Sequence, residues 1–186
     1  MKKEIRVIGI DDAPFNKFKK GKVIIVGTIF RGGSWLDGVL STKVKIDGTN
    51  ATDKLINMIN KYKFMPQLQC IILDGIALGG FNIVDINKLN QKTKLPVMVV
   101  IRKYPDFKKI KAALQKLKKS SKYKLIEKAG EVHKIQKIYI QLAGIPLEDA
   151  KKILKITCTR SLLPEPIRTA HLIAAGIVKG ESKGDA

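Results

Sequence analysis

Three strand-like runs fill most of the first 47 residues, and they constrain the fold of this chain more than any other feature. The runs cover residues 5–10, 23–30 and 35–46, and only short, glycine-containing connections separate them. Connections this short join strands that pair side by side in opposite directions. The sequence therefore predicts an antiparallel three-strand meander at the start of the chain.

The pattern changes after the meander. Asn50 is a predicted N-cap, Asp53 occupies the third helical position, and apolar residues follow at helical spacing as far as Tyr62. Apolar strands at 70–73 and 97–101 then flank a predicted helix at 82–90, an alternation that calls for parallel pairing. We predict an α/β fold with a mixed sheet, in which strand one lies between strand four and the meander, with helices on both faces.

The later elements are less regular. A predicted amphipathic helix at 107–117 carries Lys108, Lys109 and Lys111 on its outer face, which is either a phosphate-binding surface or a solvated one. Residues 123–127 and 134–142 predict a β-hairpin around Gly130, and helices follow from Pro146 and over about 166–178. We expect a single domain at residues 1–179 and a flexible tail at residues 180–186.

The charge balance predicts a polyanionic partner. Lys and Arg number 36 against 16 acidic residues, a formal net charge of +20, and 31 of the basic residues are Lys. Lys is a point charge that suits phosphate contacts better than base reading, so nucleic acid is the expected partner. The alternative is a surface adapted only for solubility or heat, although such adaptation usually enriches Glu as well.

Several other classes of protein are disfavoured. The apolar runs are strand-sized and no signal segment is present, so we expect a cytoplasmic protein without a membrane partner. Cys70 and Cys158 have no paired cysteine motif and are interpreted as small buried hydrophobic residues. No Walker loop or dinucleotide fingerprint occurs, so a nucleotide cofactor is not expected.

Three carboxylates follow predicted strands. Asp11 comes after strand one, Asp47 after strand three and Asp74 after strand four. Since strands one and four should be neighbours, Asp11 and Asp74 should converge, with Asp47 close by. Clustered carboxylates on a basic protein indicate Mg²⁺ or Mn²⁺, whose other ligands would be water and phosphate oxygens. Taken alone, each could instead be a turn residue or helix cap.

Other residues are candidates for contacts to nucleic acid. The segment containing Gly79, Gly80 and Asn82 could cradle a phosphate at the start of a helix. Trp35 could stack on a base, but a lone Trp on a strand is more often a core residue. His171 lies on the apolar face of its predicted helix, where it is either a functional residue or a satisfied core histidine.

Three segments of this sequence resemble endonuclease V. They are Ile-Gly-Ile-Asp at 8–11, Ile-Leu-Asp-Gly at 72–75 and Leu-Pro-Glu-Pro-Ile-Arg-Thr-Ala-His at 163–171, of which the last is the most specific. On these motifs the chain is similar to an archaeal family, domain-of-unknown-function family ninety-nine, which is related to endonuclease V. The likeness covers residues 5–177 and implies a ribonuclease-H-like fold.

The resemblance also implies a site. Asp11 and Asp74 match two metal-binding aspartates, Asp47 falls where endonuclease V has a metal-site glutamate, and His171 matches a late acidic or histidine position. Arg102 lies where that enzyme has a lysine. Arg168, inside the third motif, is a further candidate contact to nucleic acid. Two features depart from endonuclease V: Asp47 is one carbon shorter than Glu, and the Pro-Tyr-x-Pro wedge with which that enzyme opens the helix beside a deaminated base is absent.

The preferred hypothesis is a metal-dependent endonuclease that hydrolyses a phosphodiester bond in DNA or RNA at deaminated bases such as hypoxanthine or uracil. The alternative is a nucleic-acid-binding protein that keeps the fold and cleaves nothing, which the two departures favour. A ribosome-associated or RNA-chaperone role rests on charge alone.

Overall fold

Seven strands form one mixed sheet in the computed structural model, which describes residues 4–183. They are β1 (Arg6–Asp12), β2 (Lys22–Arg31), β3 (Trp35–Lys45), β4 (Cys70–Asp74), β5 (Val97–Ile101), β6 (His133–Ile135) and β7 (Ile138–Ala143). Their order across the sheet is β3-β2-β1-β4-β5-β7-β6. The predicted place of strand one, between strand four and the meander, is confirmed.

Strand direction follows the predicted connections. β1 is antiparallel to β2 and parallel to β4, and β4 is parallel to β5. The register pairs Val7 with Cys70 and Ile10 with Leu73. Continued by one residue, it places Asp11 beside Asp74 at the carboxyl ends of the two strands. β5 pairs with β7 in the antiparallel sense, and β6 forms the outer strand.

Six helices cover the two faces of the sheet within the described residues. They are α1 (Ala51–Asn60), α2 (Ile86–Thr93), α3 (Phe107–Lys116), α4 (Tyr123–Lys128), α5 (Leu147–Thr157) and α6 (Glu165–Lys179). Because strand side chains alternate between faces, Ile8 and Ile10 pack with α1 and α2 on one side. Val7 packs with α5 and Ile167 of α6 on the other. The predicted helices on both faces are confirmed.

One helix boundary was predicted wrongly. The helix expected at 82–90 begins at Ile86, since Asp85 is its N-cap and accepts a hydrogen bond from the Lys88 N–H at 2.9 Å. Asn82 lies outside the helix and is fully buried.

The predicted hairpin is wrong in its first half. Tyr123–Lys128 is helix α4, because Tyr123 and Ile126, three residues apart, pack together against Leu114 of α3. The hairpin in this region instead joins β6 and β7, with Ile135 opposite Ile138.

Some expectations concern single residues or chain ends. Cys70 is buried as expected, whereas Cys158 is partly exposed at the end of α5. Gly180 caps α6, and the last three residues of the expected tail, 184–186, lie outside the described residues. Over residues 4–183, every helix is too short or too polar to cross a membrane.

Candidate metal centre

The position of α6 depends on a glycine in β1. Gly9 has no Cβ, and one built there would overlap the backbone and ring of Pro166 in the first turn of α6. The hydroxyl of Thr28 on β2 donates to the carbonyl oxygen of Pro166 at 2.6 Å and fixes the same contact. The helix therefore lies directly on the strand.

This contact sets the level of His171 on the sheet. Five residues of helix from Pro166 to His171 rise about 7.5 Å, and two residues of strand from Gly9 to Asp11 rise about 6.6 Å. The two lengths nearly match, so His171 arrives opposite Asp11. Its Nδ1 lies 2.8 Å from Oδ2 of Asp11.

Three potential metal ligands, Asp11, Asp74 and His171, meet at this point, and we call them the metal group. One ligand atom each from Asp11, Asp74 and His171 lie within 4.8 Å of one another. The predicted convergence of Asp11 and Asp74 is thus found in the structure. Arg102, directly after β5, donates from Nη2 to Oδ2 of Asp74 at 2.7 Å. Four of the residues singled out in the sequence therefore occupy one site.

The carboxylates of this site are difficult to ionise together. Burial, and then the charges of Asp74 and Asp12, raise the pKa of Asp11 to about 8. Burial also raises the pKa of Asp74, although Arg102 and His171 act in the opposite direction. In a site of this kind a bound proton or a cation relieves the repulsion between the two acids.

An open cavity of about 620 Å³ gives access to the group. Asp11, Asp74, Arg102 and His171 line it, together with Asp12 and the segment 13–15 that leaves β1. Three acids in this cavity contrast with the net positive charge of the whole chain. The arrangement can accept a cation and, through it, a phosphate.

Asp12 is a part of the site that the sequence analysis missed. Its carboxylate accepts the Gly79 N–H at 2.6 Å, and burial raises its pKa. The available signal was the consecutive pair Asp11-Asp12 at the end of a strand. Adjacent strand residues point to opposite faces of the sheet, so Asp11 meets His171 of α6 and Asp12 meets the turn that contains Gly79.

The structure does not bring Asp47 into the metal group. Its Oδ1 accepts the Phe81 N–H at 2.8 Å, and its Oδ2 lies 3.7 Å from Nζ of Lys119. Its backbone N–H donates to the Gly79 carbonyl at 2.8 Å. The carboxylate therefore holds the turn at 79–81, which accounts for its separation from Asp11 and Asp74.

That turn is not a free phosphate cradle, contrary to the prediction for Gly79, Gly80 and Asn82. The N–H groups of Gly79 and Phe81 are bonded to Asp12 and Asp47, as described above. Gly80 packs so closely on Asp47 that a Cβ would overlap its carboxylate. The buried Asn82 amide donates to the Lys45 carbonyl and to Asn50, and its oxygen accepts the Ala51 N–H.

The comparison with known proteins gives the family of the chain. Residues 3–178 match the family model described as endonuclease dU. The chain belongs to the endonuclease dU family. A UPF0215 protein of Methanothermobacter thermautotrophicus is 49% identical over 191 residues, which cover 100% of this chain and 94% of that protein.

Comparison with solved structures shows that this member of the endonuclease dU family has a ribonuclease-H-like fold. The crystal structure of a protein of unknown function from Archaeoglobus fulgidus matches with a TM-score of 0.87 and 42% identity, over 93% of this chain and 98% of that one. Ciona intestinalis endonuclease V, in complex with a DNA containing an inosine followed by a ribo-adenosine, matches with a TM-score of 0.57 and 17% identity, over 90% and 82%. The predicted ribonuclease-H-like fold, shared with endonuclease V, is confirmed.

The other basic candidates, on α3 and α6, are not among the residues that line the cavity. Lys108, Lys109 and Lys111 are exposed on α3, which begins shortly after Arg102. Lys111 lies over the ring of Tyr123, with Nζ 5.4 Å from the ring centroid. The Arg168 guanidinium instead binds the buried Glu165, at 2.7 and 2.9 Å, and so stabilises the first turn of α6.

Trp35 is exposed over 66% of its surface, so the expectation that it belongs to the core is wrong. It pairs with Arg31, which pairs with Arg6 at the opposite end of β1 from Asp11. Five strand residues separate these two levels of the sheet by about 16 Å. Trp35 therefore cannot stack on a base that lies beside the metal group.

Proposed function

We propose that this protein is a divalent-metal-dependent endonuclease that hydrolyses a phosphodiester bond of DNA beside a deoxyuridine. The convergence of Asp11, Asp74 and His171 in an open cavity carries the proposal. The family description supports deoxyuridine as the recognised nucleoside. The DNA bound to the endonuclease V relative supports nucleic acid as the partner, in agreement with the charge of +20.

The donor set fits a hard cation. Asp11 and Asp74 would hold Mg²⁺ or Mn²⁺, since both ions prefer carboxylate oxygens and leave positions for water and phosphate. Bound there, the ion would make a water molecule more acidic and stabilise the leaving oxygen. The raised pKa of Asp11 agrees with this assignment, because a cation restores the charged carboxylate that burial disfavours.

The protein's own residues supply positioning and proton transfer. Arg102 uses one guanidinium nitrogen on Asp74, and its remaining donors can bind a phosphate oxygen in the cavity. His171 faces Asp11 through Nδ1, which fixes the ring and leaves Nε2 to accept or donate a proton. Asp12 holds the neighbouring turn through Gly79 and keeps the end of β1 in place.

A cleavage assay tests the proposal. Oligonucleotides that carry a single deoxyuridine, deoxyinosine or thymidine at one position are incubated with the protein in Mn²⁺, in Mg²⁺ or in chelator. We expect metal-dependent cleavage of the deoxyuridine strand and none of the thymidine strand. A protein that binds these strands and leaves all of them intact in either metal contradicts the proposal.

The non-catalytic alternative has one observation in its favour. Asp47 is engaged with Phe81 and Lys119, so the metal group contains two carboxylates and not the expected three. A binder needs no cation between Asp11 and Asp74. A Mn²⁺ titration monitored by electron paramagnetic resonance separates the two functions, since tight, stoichiometric binding of the metal is expected only of the nuclease.

A further inference from the structure

A second cavity, lined mainly by lysines, lies at the same edge of the sheet as the metal group and is not used by the proposed reaction. It measures about 570 Å³, and we call it the lysine groove after the side chains that line it: Lys17, Lys19, Lys20, Lys22, Lys45 and Lys119. Within residues 4–183, only Lys119 of these six forms an ion pair. Five uncompensated ammonium groups around one groove attract a polyanion strongly.

The groove also presents an aromatic ring to solvent. Phe18 forms part of its wall and is 88% exposed, the highest value among the large apolar side chains of the described residues. Its N–H donates to Oδ1 of Asn16 at 2.9 Å, so the backbone is turned and the ring projects outward. Nζ of Lys17 lies 5.2 Å from the ring centroid.

The lysine groove and the metal cavity share one edge of the sheet. Phe15 lines the metal cavity and Phe18 lines the groove, and their Cα atoms can be at most about 11 Å apart. That upper limit corresponds to about three base steps at roughly 3.4 Å per step. The Gly79 contacts to Asp12 and Asp47 join the two cavities from the other side.

We propose that the lysine groove binds an unpaired strand of the nucleic-acid substrate and that Phe18 stacks on one of its bases a few nucleotides from the cleaved bond. A base offers its flat face to such a ring only where it is unstacked, so the occupant is single-stranded or locally opened nucleic acid. Lys side chains contact phosphates and read no bases, so this contact is independent of sequence. The inference rests on the proposed function for the purpose of the groove, but its test does not require cleavage.

The chain offers a matched control for Phe18. Phe64 follows Lys63, whose Nζ lies 5.5 Å from the ring centroid, and the ring is 45% exposed. It precedes β4 at the end of the sheet near Arg6, away from the metal group. The two Lys-Phe pairs thus share local chemistry and differ in location.

Binding is measured by fluorescence anisotropy in chelator with labelled oligo(dT), with a mixed-sequence duplex and with heparin as competitor. We expect Phe18→Ala to weaken oligo(dT) binding by roughly 5-fold to 150-fold, the range for loss of one stacked base. Duplex and heparin binding should remain as in the wild type, because neither offers an unstacked base. Phe64→Ala should leave all three unchanged.

A second readout reports the stacking itself. Trp35 is the single Trp of the chain, so Phe18→Trp combined with Trp35→Phe places the only indole in the groove. We expect oligo(dT) to quench its fluorescence, and Phe64→Trp in the same background to remain unquenched. Equal quenching at both positions, or equal loss of oligo(dT) binding in both alanine variants, overturns the proposal.

The outcomes separate this inference from the proposed function. If the wild type cuts deoxyuridine strands while Phe18→Ala binds oligo(dT) normally, the groove assignment fails and the nuclease stands. If Phe18→Ala loses oligo(dT) binding and the wild type cuts nothing in Mn²⁺, the groove stands and the nuclease fails.

Discussion

Replacing Asp11 by Asn should make the metal-free protein more stable at neutral pH and, at the same time, insensitive to divalent metal. Asp11 is buried beside Asp74 and Asp12, and its pKa is raised from 3.8 to about 8. The folded chain therefore holds a proton on this group that the unfolded chain releases at much lower pH. Asn keeps the shape of the side chain and removes the ionisation.

The sign and the size follow from linkage. Between about pH 4 and pH 8 the folded state binds more protons than the unfolded state, so the free energy of unfolding decreases as pH rises through this window. At about 1.36 kcal/mol per pKa unit, the cost at pH 7 is at most about 4 kcal/mol. A proton on Nδ1 of His171, which lies 2.8 Å from Oδ2 of Asp11, would favour the charged carboxylate and offset part of this cost. Asp11→Asn removes the contribution of Asp11 to this pH dependence, whereas saturating metal, at about 100 times its dissociation constant, stabilises only the wild type, by about 2.7 kcal/mol.

Urea unfolding monitored by circular dichroism measures the free energy of unfolding of both proteins. The measurements are made at pH 5 and pH 8, in chelator and in Mn²⁺. Asp53→Asn is the control, since this exposed carboxylate pairs with Lys88 on the surface and should change neither the pH dependence nor the metal response. The reasoning is refuted if the wild type and Asp11→Asn lose stability equally between pH 5 and pH 8 in chelator. Equal stabilisation of both proteins by Mn²⁺ would refute the assignment of Asp11 as a ligand.

Three further predictions follow from the same site. Asp74→Asn should abolish metal-dependent cleavage and leave oligonucleotide affinity unchanged or slightly higher, because one negative charge leaves a cavity that faces phosphate; wild-type cleavage by this variant in a gel assay would contradict its role. Affinity for a nonspecific oligonucleotide should fall steeply with salt, by roughly 0.7 to 0.9 logarithmic units per tenfold increase in salt for each neutralised phosphate; constant affinity from low to moderate salt in an anisotropy titration would argue against polyanion binding. Gly9→Ala should destabilise the protein by roughly 1–3 kcal/mol, as overpacking does, and weaken Mn²⁺ binding by displacing His171; unchanged urea and Mn²⁺ titrations would show that α6 is not seated by this contact.

The sheet and half of the site could be predicted because they depend on local patterns. Short connections fix the meander, and a β-α-β alternation fixes parallel pairing, so the position of β1 beside β4 follows from the order of the elements. Once these strands are neighbours, Asp11 and Asp74 at their ends must meet. His171 and Arg102 were found through the resemblance to endonuclease V.

The remaining features depend on contacts between distant segments. Nothing in the sequence near Asp47 shows that its carboxylate is needed by the N–H of Phe81, 34 residues away. The role of Asn82 could not be predicted for the same reason, because its amide donates to the carbonyl of Lys45 and to Asn50, more than 30 residues earlier in the chain. The six residues of α4 are too few for helical and strand spacing to be distinguished, and their contacts to Leu114 decide the outcome.

The contact between Gly9 and Pro166 also bears on the order in which the protein acquires its site during translation. A nascent chain that has emerged just past β5 already contains Asp11, Asp74 and Arg102, and its β1 and β4 can pair. His171 lies 160 residues after Asp11, in α6, and therefore leaves the ribosome long after β5. A chain that ends before α6 therefore contains both aspartates but lacks the histidine of the metal group.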